Sequence, residues 1–331
     1  MTAKEAAMPD STQLGAPPRF KWAERIAEYS LVLVYAAMFG VLSLTVPHFF
    51  SVPNMLGLAL SVSQVGMVAC TMMLCLAARD FDLSVGSTIA FAGVLCATLL
   101  TLVDNTFLAV LGTVLCGAVI GAVNGTVIAY LRINALIATL ATMLIVRGLG
   151  FIVSSGQAVG VANEHFILLG SMPLLGAPLP IWVTALCFAV FGVLLNQTVF
   201  GRNILAIGGN PEASRLAGIN VERTRLLIFL IQGAVTALAG VILASRITSG
   251  QPNAAQGFEL DVISACVLGG VSLMGGRATI VGVLIGVLIM GTVNNVMNLT
   301  NVDAFYQYVA RGVILLTAVM FDQLKTRSED R

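Results

Sequence analysis

The chain has 331 residues, 58% apolar and only 10% charged, against roughly 25% charged in ordinary globular domains, so it carries too little polar surface for a water-soluble particle. Its formal net charge of +1 gives no case for a nucleic-acid or strongly acidic partner. Runs of about 20 mostly apolar residues, the length that crosses a bilayer core, recur along nearly the whole sequence. The reading is an all-α, polytopic membrane helical bundle in contact with lipid.

Residues 1–22 are polar, carry Pro9, Pro17 and Pro18, and lack the apolar stretch and small-residue site of a cleaved signal. They read as a flexible cytoplasmic tail before a membrane domain over 23–322. About ten transmembrane helices are expected, at 27–47, 54–78, 84–103, 107–131, 135–155, 179–197, 226–246, 258–276, 278–298 and 305–321. A long loop, 156–178, separates the fifth from the sixth, a polar segment at 200–222 separates the sixth from the seventh, and a short tail covers 323–331. The six cysteines (Cys70, Cys75, Cys96, Cys116, Cys187, Cys266) all fall in apolar runs without metal-ligand spacing and read as buried small apolar residues.

Basic residues orient the bundle. With the N-terminus inside, 14 of the 17 Lys and Arg residues fall on the cytoplasmic side, Arg147 and Arg311 lie within spans, and Arg246 faces out. Loop 156–178 holds Glu164 and His165 but no basic residue. Both termini are therefore expected in the cytoplasm.

Three short strings recur in the same order. Phe81-Asp82-Leu83-Ser84-Val85 echoes Phe258-Glu259-Leu260-Asp261-Val262, Val123-Asn124-Gly125 echoes Val293-Asn294-Asn295, and Arg147-Gly148-Leu149 echoes Arg311-Gly312-Val313. The spans concerned are five apart, an odd number, so the repeats (about 54–155 and 226–321) should have opposite topologies, as in many transporters. The first string is then expected at the cytoplasmic side in one repeat and at the outer side in the other, with Asp82 and Glu259 either anchoring broken helices at opposite faces or simply placed at the interface. Gly117, Gly121 and Gly125, and again Gly282 and Gly286, fall every fourth residue, spacing that lets helices approach closely.

No glycine loop precedes any of the three lysines, so the chain has no phosphate cradle of the ATPase type, and no His or Cys cluster points to a metal. No catalytic residue, metal or cofactor of its own is expected. Within 200–222, Asn210 suits an N-cap, Pro211 the first helical position, Glu212 the positive helix end, and Gly218 the left-handed stop, which spells one short helix. So short a helix needs a partner surface, either the rest of an ordinary loop or another protein.

The strings Asp82-Leu-Ser-Val-Gly-Ser, Asn134-Ala-Leu-Ile-Ala-Thr-Leu-Ala-Thr-Met, Arg147-Gly-Leu, Gly201-Arg-Asn, Ala206-Ile-Gly-Gly-Asn and Leu268-Gly-Gly-Val-Ser-Leu resemble the monosaccharide branch of bacterial ABC-importer permeases from about residue 30 to 321. Within that branch Met67-Val-Ala-Cys, Ala244-Ser-Arg-Ile-Thr-Ser-Gly-Gln-Pro252, Ile263-Ser-Ala-Cys-Val-Leu-Gly-Gly and Gly291-Thr-Val-Asn-Asn-Val-Met-Asn-Leu are most similar to permeases for L-arabinose. The resemblance implies a homodimer in the bacterial inner membrane, a separate sugar ATPase that binds the ATP, and a periplasmic sugar-binding protein. It also implies that 201–219 is the element seated on the ATPase, with Gly208, Gly209, Asn210, Ala213, Arg215, Leu216, Gly218 and Ile219 as the matching residues. Ser214 stands where many relatives have alanine.

For a neutral sugar moved by alternating access, Ser61, Ser63, Gln64, Asn124, Asn294, Asn295 and Asn298 are candidate path residues, since hydroxyls and amides both donate and accept. Their alternative role is interhelical hydrogen bonding, worth about 0.6 kcal/mol each. Arg147 and Arg311, costly inside a bilayer at roughly 2.5–3.5 kcal/mol, read as structural residues with compensating partners. Ribose or xylose is the alternative cargo. A secondary transporter would need acids along its path, and the mid-span regions hold almost none.

Overall fold

A computed structural model describes residues 21–329, and helices dominate it. In chain order they are α1 (Lys21–Thr45), α2 (Val52–Ala77), α3 (Val85–Leu102), α4 (Thr106–Ala129), α5 (Ala135–Val153), α6 (Glu164–Ser171), α7 (Leu179–Gln197), α8 (Val199–Gly209), α9 (Pro211–Leu216), α10 (Val221–Arg246), α11 (Phe258–Leu268), α12 (Ile280–Leu299) and α13 (Ala304–Glu329). Four two-residue strands form two antiparallel ribbons: β1 (Val159–Gly160) with β4 (Ser249–Gly250), and β2 (Pro173–Leu174) with β3 (Ala177–Pro178).

Nine of the ten expected spans appear as helices of 18 residues or more. Seven are both long and apolar enough to cross a membrane, α2, α3, α4, α5, α7, α10 and α12, while α1 and α13 hold shorter apolar stretches at Ser30–Thr45 and Ala304–Met320. The chain is a multi-pass membrane protein. Most of the tail expected over 1–22 lies outside the described residues; its last two positions begin α1. Instead of a tail from residue 323, α13 continues to Glu329. Loop 156–178 contains α6, whose buried Phe166 accepts a hydrogen bond from the Ser245 hydroxyl at its backbone carbonyl, at 2.6 Å.

One expected span is corrected. Residues 258–276 form an eleven-residue helix, α11, and then a turn. Eleven residues rise about 16 Å, half a bilayer core of about 30 Å. The helix stops at Gly269, and Gly270, Gly275 and Gly276 all take positive φ, so the glycines that lend this stretch its apolar look also break it.

The long helices pack around a central pair. α10 packs along α4 and α3, and α2, its counterpart, packs along α12 and α11; α3 contacts α4 and α5, as α11 contacts α12 and α13. α2 and α10 also touch each other and form the centre, with every residue from Gly66 to Ala78 buried. The glycine ladders act as their spacing implies. A Cβ on Gly121 would run into the Phe229 carbonyl of α10, and one on Gly286 into the Ala265 carbonyl of α11.

The two Phe-acid-Leu strings do not stand at opposite faces. The chain after β4 folds back along α3, where Gly250 lies against Gly93, and sets Ala255 and the Glu259 carboxylate against Gly86. The starts of α3 and α11 are therefore neighbours inside the bundle. An eleven-residue α11 cannot carry its first turn to the far side, which is why equal-length spans misplaced it.

Candidate functional site

The segment after α7 folds as two short helices. Thr198 caps α8, accepting from the Gly201 amide at 3.1 Å, and α8 buries Ile204 and Ile207 completely. At Asn210 the chain turns, and its side chain accepts from the Ala213 amide at 3.0 Å to start α9 with Pro211 in the first turn. Gly218, at φ +86°, ends it in the left-handed region. For α9 the capping read from sequence is the capping observed; one short helix was expected in this segment, and α8 with its Thr198 cap is a second.

The eight residues expected to dock do not share one environment. Gly209, Asn210, Ala213, Arg215, Leu216 and Gly218 are exposed, Leu216 at 91%, and Ile219 is half-buried. Gly208 is buried: a Cβ there would strike the Ala77 carbonyl, so this residue seats α8 on the end of α2 and does not reach outward. Ser214 is the one residue of α9 turned inward. Arg215 bonds to Glu212 at 2.8 Å and to Glu222 at 2.6 Å, which pins α9 to the first turn of α10.

Beside α9 lies a cleft of about 240 Å³ whose charged lining is Asp80, Arg132, Glu212, Arg215, Glu222 and Arg225. Three acids face three arginines, so the cleft is polarised without net charge. Asp80, in the turn after α2, is 4% exposed and sits 3.0 Å from the Arg225 guanidinium. Burial pushes its carboxyl up to about 6 against the opposing pull of Arg225. Sequence reasoning missed Asp80, Glu222 and Arg225; an acid directly after Arg79, and Glu222 one helix turn before Arg225, were the available signals.

The expected path residues scatter. Ser61 is exposed and Ser63 is buried with its hydroxyl on the Leu60 carbonyl at 2.8 Å. The Gln64 amide donates to the Ala239 carbonyl of α10 at 2.9 Å. Asn295 and Asn54 exchange two bonds of 2.8 and 3.0 Å, and the exposed Asn298 accepts from Gln307 at 3.0 Å. On α10, Gln232 is fully buried with neither end of its amide bonded among the described residues. An amide in so apolar a run was visible in the sequence and went unused.

Asn124 and Asn294, related by the repeat, each belong to a polar node. Asn124 donates to the Ser84 hydroxyl at 3.1 Å and accepts from Thr142 at 2.6 Å, while Ser84 donates to Asp82 at 2.5 Å. Asn294 accepts from Arg311 at 3.3 Å, and Arg311 meets Asp261 at 3.2 Å. Ser84 and Asp261 hold the same place in their repeats, so each node joins the start of α3 or α11 to the two helices that follow. Arg147 donates instead to the carbonyls of Pro252 and Ala254, at 2.9 and 2.6 Å.

Known proteins resemble this chain over nearly its whole length. It is 54% identical to the L-arabinose transport system permease protein AraH of Escherichia coli (strain K12) over 316 residues, 95% of this chain and 96% of the relative. It is 52% identical to the L-arabinose ABC transporter permease protein AraH of Azospirillum brasilense over 96% of this chain and 94% of the relative. Identity to the ribose import permease protein RbsC of Bacillus subtilis (strain 168) is 41%, over 86% of this chain and 89% of the relative. No solved structure matches it. Residues 54–319 match the family described as branched-chain amino acid transport system / permease component, and the chain belongs to that family.

Proposed function

We propose that this chain is the membrane-spanning subunit of an ATP-binding-cassette importer that carries L-arabinose into the cytoplasm. The observation that carries the cargo is the 54% identity over 95% of the chain to a permease for that sugar, against 41% to a ribose permease. The chain works without a cofactor of its own. ATP is bound and hydrolysed by a separate subunit, a periplasmic binding protein delivers the sugar, and two copies of the chain form the pore. Both termini lie in the cytoplasm, the side on which most basic residues fall.

In this reading α9 sits in the ATPase subunit. Its exposed Leu216 and Ala213 offer apolar contact, and Arg215 is held ready by Glu212 and Glu222. Closure of the ATPase pair draws the two copies of α9 together, and the repeats rock about the α2–α10 contact to open the path outward. Asn124, Asn294, Asn295, Asn298, Ser61, Ser63 and Gln64 remain the proposed hydrogen-bonding groups along the path, and Arg147 and Arg311 brace it.

The test is uptake of radiolabelled L-arabinose, with D-ribose and D-xylose as competitors, in cells lacking this chain alone. Uptake restored by the chain but not by Arg215→Glu supports both cargo and docking helix. Restored ribose or xylose uptake with no arabinose uptake would keep the permease class and replace the cargo.

A further inference from the structure

We infer that Asp80 and Arg225 are positioning residues that carry the movement of α9 into the two central helices, α2 and α10. The inference rests on the reading of α9 as the ATPase-docking element.

Two charge contacts, joined through the first turn of α10, connect these parts. Arg215 on α9 binds Glu222 at 2.6 Å; Glu222 and Arg225 lie one turn apart on α10, hence on one face; and Arg225 meets Asp80 at 3.0 Å. The last pair is close but off the line of a hydrogen bond, and Asp80 Oδ2 and Arg225 Nε have no other partner among the described residues. These two buried atoms therefore have only each other to answer them among the described residues. Taking Arg225 away leaves the buried Asp80 carboxylate uncompensated, so the contact resists separation as the helices move.

Asp80 is itself firmly seated. Its amide donates to the Cys75 carbonyl at 2.9 Å, folding the turn back on the last residues of α2. α2 is buried from Gly66 to Ala78, so it has no soft surface through which to absorb a displacement at its end. A second grip reaches the same point through the backbone, where Gly208 of α8 packs on the Ala77 carbonyl and Gly276 donates its amide to it at 2.9 Å. The end of α2 is thus held from α8 by packing and from α10 by charge.

The test uses the full transporter in proteoliposomes, with its ATPase and L-arabinose-binding protein, and reads ATP hydrolysis and L-arabinose uptake separately. Asp80→Asn and Arg225→Gln are each expected to bind the ATPase subunit in normal amount and to keep its hydrolysis stimulated, while uptake per ATP falls roughly tenfold. The double variant should do no worse than either single one, because the pair acts as a unit. Additive losses, unchanged uptake per ATP, or loss of the ATPase subunit from the complex would each overturn the proposal. Asp80→Glu, which keeps the charge, should restore part of the coupling; a Glu variant as uncoupled as Asn would also overturn it. If neither hydrolysis nor the ATPase subunit is lost in Arg215→Glu, the docking reading fails instead, and the two failures are told apart.

Discussion

Arg147 and Arg311 hold matching places in the two repeats, yet both guanidinium groups end on α11 or the chain leading into it. Arg147 takes the carbonyls of Pro252 and Ala254, and Arg311 takes the Asp261 carboxylate in the first turn. An eleven-residue helix is marginal alone, so its position depends on these anchors. Each arginine offsets its insertion cost by satisfying groups that the break before α11 leaves open.

Arg311→Leu strands Asp261 and removes the bond to Asn294, and should lower the thermal midpoint in detergent by several degrees. The pair is partly exposed, so a cost of about 1–3 kcal/mol is expected, short of the full price of stranding a buried charge. Arg147→Leu should cost a similar amount. The double variant Asp261→Asn/Arg311→Leu should be less damaging than Arg311→Leu alone, measured by the same thermal scan.

Gly121 marks the closest approach of α4 and α10, where a Cβ would meet the Phe229 carbonyl. Backbone cannot yield as a flexible side chain can, so Gly121→Ala should destabilise by about 1–3 kcal/mol. Gly148 has nothing within 4 Å of its Cβ position, and Gly148→Ala should be neutral or stabilise by up to about 1 kcal/mol. Thermal unfolding of the two purified variants checks the contrast; equal midpoints would deny that this contact is tight.

Much of this was legible before any coordinates. Apolar run length foretold nine long helices, and the residue types at 210, 211 and 218 foretold the cap and stop of α9, because such signals are local; Thr198 and the separate helix α8 were not foreseen. What failed was non-local. Residues 258–276 are apolar enough to cross, and glycine suits a close-packed helix as well as a turn; the positive φ of Gly270, Gly275 and Gly276 and the close approach of Gly269 to Gly282 decide for the turn only in the folded chain. Asp80 and Arg225 are 145 positions apart, and nothing in either neighbourhood names the other. The path residues fared worst, since an amide suits a sugar hydroxyl and a neighbouring helix equally well.

Asn210 supports α9 through a single side-chain bond to the Ala213 amide. Asn210→Ala should destabilise that helix by about 0.5–2 kcal/mol, the usual cost of a lost cap. Because α9 has only six residues, the loss should appear as weaker association with the ATPase subunit and little change in overall stability. Asn210→Asp or Asn210→Ser, which keep an acceptor, should bind normally. The amount of ATPase subunit retained on the tagged, purified permease reports the difference.

Asp80 gives the coupling an acid limb. Its carboxyl is held near 6 by burial, above the usual carboxylate range. A raised value means the ionised form costs stability above about pH 6, and that cost fades as the pH falls through 6 toward the ordinary carboxylate value near 4. Acidification therefore does not weaken the fold through this group; it removes the charge that Arg225 holds. The other groups around it are Arg132, Glu212, Arg215 and Glu222 across the cleft and the Cys75 thiol on α2, and among the described residues Arg225 is the one in ion-pair contact. Uptake per ATP in proteoliposomes should fall by about half as the cytoplasmic-face pH drops from 7.5 to 6, with hydrolysis less affected. Asp80→Asn should be low and flat across the same range. A wild-type profile that stays level down to pH 5 would mean that ionised Asp80 is not needed for coupling.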